Sequence, residues 1–132
     1  MASIPDGVRA VLEAPSFWAL ATLNADGSPQ NNVMWVDVEG DKVMLNTSIG
    51  RVKEKNMRRD GRLSLSYANP QNPYERIEIR GKAVEFKGGD EGIAGINKLA
   101  NKYLGSDYPW LQPGEERVTI LIEPTRVIHE TP

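Results

Sequence analysis

Apolar residues recur along this chain with two periods, and each change of period marks an element boundary. Val8, Val11 and Leu12 form a short helical stripe. Ser3 and Asp6 precede it in the manner of a capping box, and Pro15 ends it because proline has no amide hydrogen and crowds the preceding turn. Phe17 to Leu23 is an apolar run of strand length. Asn24-Ala25-Asp26-Gly27 then reads as a tight turn, since aspartate and glycine tolerate positive φ. A second strand over Gln30 to Val38 leads to a turn at Glu39-Gly40-Asp41. The third, Lys42 to Thr47, puts Val43, Leu45 and Thr47 on one face.

The second half continues in kind. Ser48 is placed to cap a helix over Arg51 to Arg59 whose apolar side is only Val52 and Met57. Arg62 to Ala68 alternates, with Leu63, Leu65 and Tyr67 on one side, and Asn69 to Pro73 reads as a loop. A long strand over Arg76 to Phe86 changes parity at Gly81, which predicts a bulge. Asp90 is placed to cap a helix carrying Ile93, Ile96, Leu99 and Tyr103, with Gly105 as its stop. After an aromatic and proline-rich loop, Ser106 to Glu116, the last strand is Val118 to Ile122. About six antiparallel strands with short helices predict a mainly β, barrel-like domain spanning 1–132.

Composition narrows the function classes. A net charge of −2 over 132 residues argues against a general nucleic-acid binder. The absence of cysteine removes disulfides, thiolate metal sites and cysteine nucleophiles. No carboxylate or histidine cluster has metal-ligand spacing. No secretory signal or membrane-length apolar stretch is visible, so a cytoplasmic protein is expected.

One segment departs from the acidic average. Arg51, Lys53, Lys55, Arg58, Arg59 and Arg62 stand against Glu54 and Asp60, six positive charges minus two negative, or +4. A solvated helix face could carry such charges, but their placement suggests an anion site. The strand ending at Asn46-Thr47-Ser48 supplies donors, the helix start supplies free amides, and Arg51 and Lys53 supply full charge. That set of groups suits a phosphate.

The motifs Ala19-Leu-Ala-Thr-Leu-Asn-Ala-Asp-Gly-Ser-Pro29, Val33-Met-Trp-Val36, Asn46-Thr47 and Arg51-Val-Lys53-x-x-Asn56-Met-Arg-Arg-Asp60 occur in order. Together with Tyr74 to Val84 and Tyr103-Leu104-Gly105, they resemble the pyridoxamine 5′-phosphate oxidase-like family. More narrowly, they resemble its flavin- or deazaflavin-dependent oxidoreductase branch, whose members use coenzyme F420. The resemblance implies a six-stranded antiparallel split β-barrel of the FMN-binding type, forming a homodimer with cofactor at the subunit interface. It implies that Asn32, Val33, Met34 and Trp35 line the cofactor ring. Asn46, Thr47 and Ser48 would approach the ribityl chain and phosphate, Arg51 and Lys53 would bind the phosphate, and Asn56 and Arg58 would stand near an anionic tail. The asparagine at Asn31 and the lack of a C-terminal substrate-binding segment depart from the true pyridoxamine phosphate oxidases, so that activity is not expected.

The expected activity is hydride transfer between coenzyme F420 and a small unsaturated or conjugated organic substrate. The alternatives are an FMN-dependent oxidase or reductase and a non-catalytic flavin- or F420-binding protein. The cofactor carries the reactive carbon, so no catalytic side chain is singled out. His129 reads as a surface residue, Asp26 as a turn residue, and Trp18 and Trp110 as packing anchors, with Trp110 in a loop able to cover the ring.

Overall fold

Alternation puts one face of most strands indoors, and a curled sheet is the way this chain gives those faces a common interior. A computed structural model describes Met1–Pro132. The elements run α1 (Asp6–Glu13), β1 (Trp18–Leu23), β2 (Pro29–Met34), β3 (Asp37–Glu39), β4 (Lys42–Ser48) and α2 (Val52–Arg59). There follow β5 (Arg62–Asn69), β6 (Asn72–Lys87), α3 (Gly89–Leu104) and β7 (Arg117–Glu130). The seven strands form one antiparallel sheet in the order β2-β1-β5-β6-β7-β4-β3, so β2 and β3 are its free edges and the barrel is split.

The interior holds Val8 and Leu12 of α1, Trp18 and Leu20, Val43 and Leu45, Leu65, Ile79 and Val118, Ile120 and Ile122. Strand β4 is buried on both faces, because Met44 turns outward to meet Leu99 of α3 and Leu121. α3 lies on β7 at very short range. A Cβ on Gly92 would overlap the Arg117 carbonyl, and one on Gly95 would overlap the Thr119 hydroxyl. Asn46 locks this contact by donating to the Gly92 carbonyl (2.8 Å) and to Thr119 Oγ1 (3.0 Å).

The strand expected over Gln30–Val38 divides into β2 and β3, which gives seven strands rather than six. The break falls where Trp35 stacks on Tyr103 and the Val36 N–H donates to the Tyr103 hydroxyl (3.1 Å), taking that backbone out of the ladder. The chain thereby crosses from the β1 edge to the β4 edge. Strand β7 extends to Glu130, and the stretch expected as a loop at 69–73 is a hairpin turn between β5 and β6. The β6–β7 register shifts between Arg80 and Gly81, as expected, and again between Ala83 and Glu85. The buried face continues through Ile77, Ile79, Gly81 and Ala83, so the change of parity falls at the second shift and leaves Val84 exposed.

Helix caps differ from expectation. Pro5, Arg51 and Gly88 occupy the three N-cap positions, and none makes a side-chain capping bond. Ser48 instead turns toward Arg117 and Glu115. At α2 the acid reaches backward: Glu54 Oε1 accepts the Gly50 N–H at 2.7 Å, tying the turn before the helix to its first turn. Gly105 ends α3 in the left-handed conformation at φ 82, as its position suggested.

Candidate functional site

At the end of β4, the Ile49 N–H bonds to the Glu116 carbonyl and Gly50 turns the chain at φ 102 into α2. This delivers Arg51 and Lys53 beside Thr47 and the start of β7. Between them lies a cavity of about 240 Å³. Its lining is of two kinds, the polar and cationic Asn46, Thr47, Arg51, Lys53 and Arg117 and the apolar and aromatic Val33, Met34, Trp35, Ile96, Leu99, Tyr108 and Trp110. The two kinds meet where Lys53 reaches Met34 and where Arg117 lies over Tyr108.

Two of the cationic side chains, Lys53 and Arg51, are short of counter-charge. Lys53 is buried, and its ammonium has as sole hydrogen-bond partner the Met34 thioether, 2.9 Å away. Burial, then the charges of Arg51 and Arg117, lower its pKa from 10.5 to about 8. Arg51 has no carboxylate partner either. The nearest acid on the helix, Glu54, is turned back to Gly50 and paired with Arg58. Burial opposes ionisation of Glu54, but the Gly50 N–H and Arg58 outweigh it and hold its carboxyl below the usual range. Thr47 Oγ1 is the single buried side-chain polar atom with no partner. Orphaned donors and unneutralised cations in one cavity are what an absent anion would leave.

Arg117 behaves differently. It is buried and engaged through two of its three nitrogens, Nε donating to Asn46 Oδ1 (3.0 Å) and Nη1 to Ser48 Oγ (2.9 Å) and Glu115 Oε2 (2.7 Å). The Ser48 hydroxyl, the Gln112 N–H and Arg117 together hold Glu115 at about 2. The Arg117 guanidinium also lies 5.0 Å from the Tyr108 ring centre. Tyr108 in turn meets Trp35 and Trp110 edge-on, with ring centres 6.4 and 5.6 Å away. Its N–H donates to Asn97 Oδ1, fastening this loop to α3. Arg117 thus ties the aromatic residues of the cavity to the end of β4.

Of the residues singled out in the sequence, Val33, Met34, Trp35, Asn46, Thr47, Arg51 and Lys53 come together here. Ser48 stands behind them, bonded to Arg117 and Glu115. Asn32 is exposed on β2 opposite Leu20 and does not line the cavity. Asn56 and Arg58 lie elsewhere: Asn56 shares the buried face of α2 with Lys53 but stands about one turn further along, and Arg58, five residues on, is rotated away. Asn56 is buried against β1, donating to Thr22 Oγ1 and Asn24 Oδ1, both at 3.0 Å. Arg58 sits 4.4 Å from the Phe86 ring centre and lines an open groove of about 800 Å³ with Arg59, Arg62 and Lys82. Arg117 and Tyr108 were not legible as site residues; the only available signal was a basic residue opening the last strand on the side away from Val118 and Ile120.

Other candidates have local explanations. His129 lies within β7 and pairs with Glu75 at 3.1 Å, and Trp18 is core. No group of three or more His, Asp or Glu side chains converges as a metal site would require, and no helix is long and apolar enough to cross a membrane.

Comparison with known proteins adds to this geometry. Residues 4–129 match the family model described as pyridoxamine 5′-phosphate oxidase. No curated protein matches. Among solved structures, an F420 reductase is 31% identical with a TM-score of 0.81, covering 95% of this chain and 98% of that one. A conserved hypothetical protein from Mycobacterium tuberculosis is 22% identical, with a TM-score of 0.77 over 98% of this chain and 88% of its own. A heme binding protein from Mycobacterium smegmatis is 19% identical at a TM-score of 0.65, covering 99% of this chain and 59% of that one. The last two share the fold.

Proposed function

Because the chain belongs to the pyridoxamine 5′-phosphate oxidase family, we propose that it is an oxidoreductase binding the deazaflavin coenzyme F420, with FMN as the alternative cofactor. The reaction is hydride transfer between that cofactor and a small unsaturated or conjugated organic substrate. The observation that carries the reading is the unneutralised cluster of Lys53, Arg51 and the orphaned Thr47 hydroxyl, in one cavity with Trp35, Tyr108 and Trp110. A molecule that joins an anionic group to a flat ring suits both kinds of lining.

When bound, the cofactor supplies the carbon that gives or takes the hydride. The chain's own residues bind and orient. Arg51 and Lys53 hold the phosphate, Thr47 donates to it, and Arg117 keeps Asn46, Ser48 and the Tyr108 loop in place. No side chain is assigned a proton-transfer role. Two observations favour F420 over FMN. One is the 31% identity to an F420 reductase over nearly the whole chain. The other is the basic groove of Arg58, Arg59, Arg62 and Lys82 at the far end of α2, about 12 Å along a helix of this length. FMN ends at its phosphate, whereas F420 carries an anionic tail that could use such a groove. A homodimer fits the exposed apolar rim of Val33, Val52 and Trp110, which are 62%, 55% and 55% exposed.

Parallel fluorescence titrations with F420 and FMN test the proposal. Micromolar or tighter binding of F420, with FMN weaker, is the expected outcome; binding of neither removes both cofactor readings. Arg51→Ala and Lys53→Ala should each weaken binding by about 1.5–3 kcal/mol, the range for hydrogen bonds to charged groups. Turnover of an electron acceptor by the loaded protein separates an enzyme from a binding protein.

A further inference from the structure

Trp35, Tyr108 and Trp110 line the cavity and also touch one another in series. The two ring pairs are close to perpendicular, at 85° and 83°, so that each ring meets the next by an edge. Trp35 is half-buried, whereas Trp110 is 55% exposed, so the series ends in solvent. In a chain without cysteine, indole and phenol rings are the groups that most readily give up a single electron, with the methionine thioethers behind them. The charges beside the rings sort them further. The Lys102 ammonium lies 5.1 Å from the Tyr103 ring centre, and Arg117 stands over Tyr108; a cation so close opposes a second positive charge on the ring. Tyr103 stacks on Trp35 at 5.1 Å, but its hydroxyl donates to the Ser16 carbonyl, which is no base for a phenolic proton. No cation lies over Trp35 or Trp110. The two indoles are therefore the resting places for a missing electron, and Tyr108 is the bridge between them.

We infer that Trp35, Tyr108 and Trp110 form a one-electron path that drains oxidising equivalents from the cavity to the surface. A one-electron oxidant in the cavity takes an electron from Trp35 and is itself reduced. Trp110 returns an electron to Trp35 across Tyr108, and the Trp110 radical cation gives its indole N–H proton to water. The balance is one electron moved to the oxidant and one proton released to solvent, with only that N–H bond broken. Met34, whose thioether lines the same cavity, is thereby spared oxidation to the sulfoxide. The path consists of this chain's own side chains and holds whichever molecule occupies the cavity.

Val33 lines the cavity and is exposed, so Val33→Cys gives the full-length chain a single thiol for a ruthenium polypyridyl photo-oxidant. Flash-quench oxidation followed by peptide mass spectrometry reads where oxygenated tryptophan accumulates. Product should gather on Trp110 and stay at background on Trp18, which is buried and stacked on Tyr67. Trp35→Phe and, separately, Tyr108→Leu should each cut the Trp110 product several-fold. Trp110→Phe, at an exposed position, should leave the product on Trp35. Trp110 product that is unchanged in Trp35→Phe or in Tyr108→Leu means direct oxidation by the label and overturns the inference. Product that stays on Trp35 while Trp110 is intact, or that spreads evenly over all three tryptophans, overturns it as well. Neither F420 nor FMN is added, so this result and the cofactor titrations fail or succeed separately.

Discussion

Thr47 and Lys53 show at single residues how function is held against stability. A buried hydroxyl without a partner and a buried ammonium without a counter-ion both destabilise the ligand-free fold. Thr47→Val, which conserves shape and removes the orphaned oxygen, should raise the stability of the free protein by about 1 kcal/mol. The same change should weaken anion binding, so thermal melts with and without ligand should move in opposite directions. Glu115 carries the converse sign. Its folded-state pKa of about 2 lies below the ordinary 4.5, so its contribution is complete above 4.5 and is lost as pH falls through that window. Glu115→Gln should flatten the acid limb of a stability-versus-pH curve there. Thr47, Arg51 and Lys53 were legible because they are near neighbours in sequence and of one chemical kind. Arg117 was not, because only the pairing of β7 with β4 brings it to the cavity, and Glu115 acts there only through Arg117 and Ser48.

Among elements, the seating of α3 on β7 decides whether the cavity has a floor. Gly92 lets the helix backbone touch the Arg117 carbonyl, and Ile96 and Leu99 of the same helix line the cavity. Gly92→Ala should cost about 1–3 kcal/mol by overpacking and should loosen Arg117, lowering both the melting temperature and anion affinity. Helical and strand periods were readable because burial imposes them, and the irregularity at Gly81 was readable with them, although the buried face of β6 changes parity only after Ala83. Caps and the β2–β3 break were not. The first depend on whether a side chain has a better partner, as Ser48 has in Arg117. The second depends on Tyr103, a residue of α3 that captures the Val36 N–H across the fold.

At the scale of the molecule, the cavity joins the two halves of the chain. Val33 to Lys53 bring one side and Ile96 to Arg117 the other, so a ligand there ties them together. Saturation at a hundredfold excess over Kd should add about 2.7 kcal/mol to stability, read as a ligand-dependent rise in melting temperature. If the exposed rim around Val33 is covered by a second copy, Val33→Asp should shift sedimentation toward the monomer. The pairing of β4 with β7 also has a consequence in time. Asn46, Thr47 and Ser48 find their partners Thr119, Val118 and Arg117 only when the last strand arrives, and until then β4 has beside it just the three residues of β3. Contacts so distant along the chain close late, after the loop entropy has been overcome. The anion site is then absent from any early nucleus, and a bound ligand has nothing to hold until folding is nearly complete. Ligand should therefore slow unfolding in stopped-flow experiments and leave the refolding rate unchanged.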